Sequence, residues 1–160
     1  MKTSIYLILI IALIVSSCKK DKAIIPDDEV NKPEFPEWVI YNKSNSNLRD
    51  NQINAICIDK NDVKWLGTAN GLIRINADSW DSFNSANSLL PSNYIRAITV
   101  TDQGIVWVGT DAGLACYNGQ KWSLFDTKNS VLASNSITCI TYDQRNERVW
   151  IGTDEGIVRI

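Results

Sequence analysis

Short apolar runs separated by polar turns recur along most of the chain. Within one unit of this pattern, four runs have the β-branched and apolar composition of strands: Ile53 to Ile58, Val63 to Thr68, Leu72 to Ile75 and Trp80 to Phe83. The segments between them are rich in Asp, Asn and Gly, which favour hairpin turns. Because no helical stripe with a 3.6-residue period competes with them, the pattern predicts an all-β fold.

This unit recurs, so the chain contains an internal repeat. Trp38, Trp80 and Trp122 are spaced 42 and 42 residues apart. A Trp-x-Gly-Thr-x-x-Gly block returns in the same register at residues 65–71, 107–113 and 150–156. Four strands in about 42 residues is the size of one propeller blade. We therefore predict about three β-propeller blades of four antiparallel strands in residues 38–160, which is an incomplete propeller.

The repeated blocks resemble the two-component regulator propeller repeat, whose core reads roughly aromatic-x-Gly-Thr-x-x-Gly-Leu. The resemblance covers residues 38–160 and occurs three times in register. It implies a propeller that acts outside the cytoplasm, either as the sensing part of a hybrid histidine kinase or as a secreted protein or lipoprotein. Because the sequence contains no histidine, we expect no phosphoacceptor and no kinase activity in this chain.

The first residues resemble the export signal of a bacterial lipoprotein. Lys2 precedes an apolar run from Ile5 to Val15, which is too short to span a bilayer comfortably. Val15-Ser16-Ser17-Cys18 resembles the lipobox, in which the cysteine is acylated and becomes the mature N-terminus. The resemblance implies that residues 1–17 are a cleaved signal peptide. The alternative is a short membrane anchor that stays uncleaved.

Lipidation of Cys18 would hold the chain at a membrane. Several acyl chains provide the two hydrophobic signals that stable anchoring requires, so we expect palmitate at this residue. Lys19 stands where an inner-membrane retention signal would have Asp, which favours the outer membrane, on its periplasmic or surface face. Residues 18–37 contain prolines among mixed charges, and we predict that they form a solvated tether.

Charge and composition remove several classes of function. The formal net charge is −2 and the pI is about 5.1, whereas nucleic-acid binding requires a clustered basic surface. The absence of histidine excludes Ser-His-Asp and Cys-His catalysis and histidine-ligated zinc. We therefore expect no enzyme, no cofactor, no metal site and no nucleic-acid partner. A pair of carboxylates would still be able to support a hydrolase or lyase.

Residues that occur in every repeat are interpreted as architecture. Trp65, Trp107 and Trp150 are expected to pack between neighbouring blades, and the Gly-Thr and Gly positions are expected to form tight turns. The repeated Asn-Ser pairs and the Asn that follows them are expected to satisfy backbone groups of turns. The alternative is a ring of Asn side chains that binds sugar hydroxyls.

Three cysteines lie in the repeats. Cys57, Cys116 and Cys139 occupy different repeat positions, which is not the pattern of a disulfide framework. They are expected to be small buried hydrophobic residues. A Cys57–Cys139 disulfide between inner strands is the alternative, since geometry decides it.

A ligand site is expected where the repeat breaks. The first strand of a propeller blade lines the central channel, and equivalent positions there differ: Gln52, Tyr94 and Ser136, then Asn54, Arg96 and Thr138. The loops after each Gly-Thr pair also differ. We predict a ligand site formed by Tyr94, Arg96, Asp111, Asp154 and Glu155. The alternative is ordinary variation of surface loops.

The sequence therefore predicts a non-catalytic cell-envelope lipoprotein that binds a protein partner or a glycan. Its alternatives are a fragment of the extracytoplasmic propeller of a two-component regulator, and a propeller hydrolase or lyase. Trp38 to Tyr41 is expected to complete the last blade in the usual ring-closing manner. Three blades would still leave two apolar faces open. We expect a fragment of a longer propeller or, as the alternative, a homo-oligomer of two copies with six blades.

Overall fold

The computed structural model describes residues 37–160. The expected signal peptide of residues 1–17, the expected lipidation site Cys18 and all but the last residue of the expected tether lie outside the described residues. Within residues 37–160 the regular elements are β-strands, which confirms the all-β prediction. No helix of this part of the chain is long and apolar enough to cross a membrane.

Eleven strands form three antiparallel sheets in the described residues. Blade 1 contains β1 (Ile53–Ile58), β2 (Lys64–Thr68), β3 (Gly71–Asn76) and β4 (Ser79–Phe83). Blade 2 contains β5 (Ile95–Val100), β6 (Val106–Thr110), β7 (Leu114–Tyr117) and β8 (Trp122–Phe125). Blade 3 contains β9 (Ile137–Asp143), β10 (Arg148–Thr153) and β11 (Gly156–Arg159). Each strand pairs with the next one along the chain, so the predicted four-stranded blade is confirmed in blades 1 and 2.

The hairpin between the second and third strands explains the repeated Gly-Thr-x-x-Gly block. Thr68 Oγ1 donates a hydrogen bond of 2.8 Å to the carbonyl oxygen of Gly71 and accepts one of 2.9 Å from the backbone N–H of Asn70. Gly71 has a φ of 110°, in the region that favours glycine. The same Thr-to-Gly hydrogen bond recurs in blades 2 and 3, so the block is a turn, as predicted.

Two apolar cores lie between the blades. The first joins blade 1 to blade 2 and contains Trp65 and Ile95, and the second joins blade 2 to blade 3 and contains Trp107 and Ile137. Gly67 permits the close approach of blade 2, because a Cβ there would lie 2.5 Å from Cγ2 of Ile95. The predicted packing of the tryptophans between neighbouring blades is confirmed for Trp65 and Trp107.

The repeated Asn residues hold the loops that connect the blades. After β4, Asn87 Oδ1 accepts a hydrogen bond of 2.8 Å from the backbone N–H of Asn84, and Asn87 Nδ2 donates one of 3.0 Å to the carbonyl of Ser82. Asn45 and Asn129 make the equivalent pairs of bonds. Backbone groups engage these side chains, so the turn interpretation is confirmed against the ring of sugar-binding Asn side chains.

The expectation that Trp38 to Tyr41 completes the last blade is wrong. These residues form no strand and are exposed, and β11 is an edge strand of blade 3. Tyr41 instead lies beside Trp80 of blade 1, with ring centroids 6.0 Å apart. A first strand can join the last blade only when the array returns to its start, which takes four or more blades. Trp150, at the open end of blade 3, is accordingly only partly buried.

The three cysteines of the described residues are free. Cys57 and Cys116 are partly buried, and desolvation raises the pKa of both thiols. The expectation of a buried residue is wrong for Cys139, which is exposed because no other blade within residues 37–160 covers this face of blade 3. The alternative Cys57–Cys139 disulfide is also wrong, since β5 of blade 2 lies between β1 and β9.

Candidate functional site

The first strands of the blades lie side by side in the order β1, β5, β9. A polar turn precedes each strand, in which the backbone N–H of the entering residue donates to a side-chain oxygen two residues earlier. The three pairs are Asp50–Gln52 at 2.9 Å, Ser92–Tyr94 at 3.1 Å and Ser134–Ser136 at 3.1 Å. The polar side chains around these turns form the inner-strand site, which consists of Gln52, Asn54, Tyr94, Arg96, Ser134, Ser136 and Asp154.

Arg96 is the cation of the inner-strand site. Its side chain starts from β5 of blade 2 and reaches blade 3, where Nη1 donates a hydrogen bond of 2.9 Å to Oγ of Ser136. Its Cζ lies 6.0 Å from the ring centroid of Tyr94, a distance at which an aromatic face attracts a guanidinium. These two contacts hold the guanidinium across the junction between blades 2 and 3.

Asp154 provides the anion of the inner-strand site, from the turn after β10. Its backbone N–H donates a hydrogen bond of 3.3 Å to the carbonyl of Ser136. The pKa of its carboxyl is lowered, chiefly by a hydrogen bond from the Ser134 hydroxyl, and further by the Ser136 hydroxyl and the positive charge of Arg96. Asp154 is therefore ionised at neutral pH, where it is a poor general acid.

Blade 1 contributes two amide side chains to the inner-strand site. Gln52 Nε2 donates hydrogen bonds of 3.0 Å to Oδ1 of Asn54 and 3.3 Å to the hydroxyl of Tyr94. Asn54 Nδ2 in turn donates a bond of 2.8 Å to the carbonyl of Ile95 in blade 2. The polar network consequently runs across both blade junctions.

The structure brings together three of the five residues predicted for the site, Tyr94, Arg96 and Asp154. Asp111 and Glu155 are exposed. Within residues 37–160, neither carboxylate makes an ion pair, and only the backbone N–H of Glu155 makes a turn bond, to Thr153 Oγ1 at 3.2 Å. The structure therefore places three of the five predicted residues in one site and leaves Asp111 and Glu155 outside it.

Sequence reasoning did not include Ser134 among the site residues. The signal that could have found it is the polar residue two positions before each entering residue, which is Asp in the first repeat and Ser in the other two. Gln52, Asn54 and Ser136 were among the positions at which the repeats differ, but they were not included in the predicted site. These three residues belong to the inner-strand site because each makes a hydrogen bond to a residue of a neighbouring blade.

The side chains of the inner-strand site suit a polar ligand. They offer a guanidinium, a carboxylate, hydroxyls and amides beside the ring of Tyr94, which is 37% exposed. Glycoside cleavage by a carboxylate pair needs one carboxyl with a raised pKa, whereas the pKa of Asp154 is lowered. Within the described part of the chain, no group of three or more His, Cys, Asp or Glu residues could hold a metal ion.

A second polar cleft lies at the outer side of blade 1. It has a volume of about 430 Å³ and is lined by residues 46–49 and 80–82. Arg49 Nη2 donates a hydrogen bond of 3.2 Å across it to Oγ of Ser82. The position of Arg49 is occupied by Pro91 and Ala133 in the other two repeats. This difference between the repeats could have indicated the cleft, but the predicted site does not include Arg49.

Comparison with known proteins supports the interpretation of the repeats. Residues 89–112 and 131–155 match the family model described as two component regulator propeller, so the chain carries repeats of this family. No curated protein matches the chain.

Solved structures similar to the chain include two extracellular domains from B. thetaiotaomicron. That of BT3049, named a hybrid two component system, is 27% identical with a TM-score of 0.63, and the match covers 77% of this chain and 17% of that one. That of BT4673, named a one component system in one structure and a hybrid two component system in another, is 26% identical with a TM-score of 0.59, and the match covers 76% and 16%. The chain thus spans less than a fifth of the length of these domains.

Virginiamycin B lyase from Staphylococcus aureus also resembles the chain in structure. The identity is 16% and the TM-score is 0.51, over 68% of this chain and 40% of that one. At this identity the likeness extends to the fold alone. It carries no argument for lyase activity.

Proposed function

We propose that these blades recognise a ligand outside the cytoplasm, as part of a sensing propeller of the kind that two-component regulators use. One observation carries the proposal: the chain is 27% identical, over 77% of its length, to the extracellular domain of BT3049. Two of its repeats also match the two component regulator propeller model. The proposed role is binding rather than catalysis, since the chain has no histidine and Asp154 is a poor acid.

The inner-strand site is the proposed ligand site, and a glycan is the proposed ligand. The guanidinium of Arg96 and the carboxylate of Asp154 offer charged hydrogen-bonding groups to sugar hydroxyls. The partly exposed ring of Tyr94 offers an aromatic surface beside them. A protein ligand is the second possibility, and it would contact the same face through its own polar side chains.

Glycan binding by the full chain tests this proposal. The chain is applied to a glycan array, and the affinity for a bound glycan is then measured by calorimetry for Arg96→Ala and for Arg145→Ala. Arg145 is an exposed arginine in the turn between β9 and β10 and serves as the matched control. Loss of one charged hydrogen bond costs roughly 1.5–3 kcal/mol, so Arg96→Ala should weaken binding about tenfold or more. Unchanged affinity, or equal losses in both variants, would contradict the proposal.

A free-standing envelope lipoprotein is the second candidate function. The observation that favours it is the Val15-Ser16-Ser17-Cys18 block after an apolar run. We propose an outer-membrane location, by lipidation of Cys18, for this case. The mass of the native polypeptide distinguishes the two candidates in an immunoblot with antibodies against residues 37–160. A band somewhat below the 17.9 kDa of the uncleaved sequence favours the lipoprotein, because residues 1–17 are then removed, and a band several times larger favours the regulator.

A further inference from the structure

The outer cleft is the polar cleft beside β4 of blade 1, lined by residues 46–49 and 80–82. Its volume of about 430 Å³ lies within the roughly 300–1,000 Å³ that small-molecule sites occupy. β4 and β1 are the two opposite edges of the blade 1 sheet, so the outer cleft is separate from the inner-strand site. The function proposed above leaves it without a role.

The polar character of the outer cleft belongs to the first repeat. A buried leucine recurs in the loop that enters each blade, at residues 48, 90 and 132. The residues on its two sides are Asn47 and Arg49 in the first repeat, but Leu89 and Pro91 in the second and Val131 and Ala133 in the third. All three loops make the same Asn hydrogen bond, so the blade fold does not require the polar pair.

Arg49 supplies the cleft with a cation. Its side chain is exposed, and its Nη2 donates a hydrogen bond of 3.2 Å to Oγ of Ser82 on β4. Neither of the two ion pairs within residues 37–160 involves Arg49. A guanidinium has five N–H donors in a planar fork that matches a carboxylate. Arg49 therefore presents donors to the cleft that no carboxylate of the described residues engages.

Asp81 also lines the outer cleft, but its charge is engaged elsewhere. Its Oδ2 lies 3.5 Å from Nη1 of Arg74, its cross-strand partner on β3. Successive residues of a strand point to opposite faces of the sheet, so Trp80 and Ser82 share the face that Asp81 does not. The pair with Arg74 accordingly leaves the positive charge of Arg49 uncompensated.

Trp80 adds an aromatic surface to the outer cleft. Its side chain is partly buried, and its ring centroid lies 6.0 Å from that of Tyr41. A second hollow, of about 510 Å³, adjoins the cleft, because Ser46, Asn47 and Trp80 line both. The adjoining hollow also contains Asp78, so the cation and the acid lie in different parts of this surface.

A neighbouring blade leaves this surface open. Blade 1 precedes blade 2, and a hollow of about 540 Å³ remains on blade 2, lined by residues 86–89, Lys121 and Trp122. By the repeat, residues 86–89 and Trp122 are the equivalents of residues 44–47 and Trp80, which line the adjoining hollow of blade 1. A blade placed before blade 1 would leave the same surface accessible, so the site does not depend on the number of blades in the protein.

We propose that the outer cleft binds the carboxylate of a small cyclic acid, with the acid paired to Arg49 and the ring against Trp80. An Arg–carboxylate pair supplies two parallel charge-assisted hydrogen bonds, and an indole offers a large apolar surface to a ring. A hexuronate and an aromatic acid both carry this chemistry. The hydroxyls of a hexuronate would also find an acceptor in Asp78 of the adjoining hollow. The proposal does not depend on a ligand at the inner-strand site.

Titration of the isotope-labelled full chain with sodium glucuronate and with sodium benzoate tests the proposal by NMR. The indole N–H signal of Trp80, identified by its absence from Trp80→Phe, reports binding at this site. We expect a saturable shift with at least one acid, and binding about tenfold or more weaker for the neutral matches glucose and benzyl alcohol. Saturation by glucuronate assigns the ring to a sugar, and saturation by benzoate assigns it to an aromatic acid. Saturation by neither overturns the proposal.

Variants of Arg49 test its role in this binding. Loss of a charged hydrogen bond should make Arg49→Ala bind the acid about tenfold or more weakly. Arg49→Lys keeps the charge without the fork and should recover part of the loss. Arg145→Ala, in the exposed turn between β9 and β10, is the matched control and should bind like the unsubstituted chain. Equal affinities for Arg49→Ala and Arg145→Ala would overturn the proposal.

Ser82→Leu provides a second test that the fold accepts. Leu124 stands at the equivalent position of β8, so leucine is compatible with an outer strand. The larger apolar side chain removes the partner of Arg49 and fills part of the cleft, and it should weaken binding several-fold. Loss of binding in Arg96→Ala with none in Arg49→Ala or Ser82→Leu would place the acid in the inner-strand site and overturn the proposal.

Discussion

Replacement of a tryptophan at one repeat position should have different costs in different blades. Trp107 is 8% exposed and packs between blades 2 and 3, with its ring centroid 5.7 Å from that of Phe125. Its Nε1 finds no hydrogen-bond partner in the described residues, so the lost energy in Trp107→Ala is that of packing. Truncation of a buried aromatic residue costs about 3–5 kcal/mol, which is a large share of the roughly 5–15 kcal/mol that stabilises an ordinary domain.

Trp150→Ala is the matched control for this prediction. Trp150 has the same repeat position but lies on an open face, where Arg159 covers its ring at 5.8 Å. Unfolding of both variants in urea is followed by circular dichroism. We expect a loss of about 3–5 kcal/mol for Trp107→Ala and about 1 kcal/mol or less for Trp150→Ala. Equal losses would refute the assignment of Trp107 to an interblade core.

Three further predictions address turns, charge and anchoring. Gly67→Ala should lower the free energy of unfolding by about 1–3 kcal/mol in urea melts, because the new Cβ would lie 2.5 Å from Ile95 Cγ2; an unchanged midpoint would contradict this packing. The lowered folded-state pKa of Asp154 makes its ionised form stabilising above the ordinary Asp pKa of about 3.9, and this contribution is lost as pH falls through the lowered value. Asp154→Asn should therefore flatten the acid limb of stability against pH, and an unaltered limb counts against it. Cys18→Ala should abolish palmitate labelling, and equal labelling of both chains would exclude lipidation of Cys18.

The strands were predictable because each blade is made by contacts close in sequence. β1 has the predicted bounds, β2 and β4 differ from prediction by one residue at one end, and β3 extends one residue further at both ends. Each hairpin is determined by residues of its own turn, such as Thr68, whose side chain bonds to the carbonyl of Gly71. The 42 residues of one repeat are therefore enough to specify the strands of one blade. The third blade follows by repetition.

The place of residues 38–41 was not predictable from the same kind of evidence. A fourth strand pairs with the third strand of its own blade, and for this segment that strand is not adjacent in sequence. Ring closure was the expected solution, but it requires an array that returns to its start. Tyr41 instead contacts Trp80 of the neighbouring blade, and the repeat pattern specifies this neighbour as well. Tyr41 is therefore placed beside blade 1 by a contact that does not require a strand at residues 39–41.

The division of the predicted site has a similar physical cause. Asp111 and Asp154 occupy the same repeat position, and both were expected near Arg96. A loop residue of one blade meets the first strand of the blade before it, so Asp154 of blade 3 lies near Arg96 of blade 2. By the same relation Asp111 of blade 2 belongs beside the first strand of blade 1, where the residue equivalent to Arg96 is Asn54. Arg96 is a cation at the junction of blades 2 and 3, whereas Asn54 is neutral at the junction of blades 1 and 2. A site with both charges therefore forms only where Asp154 lies near Arg96.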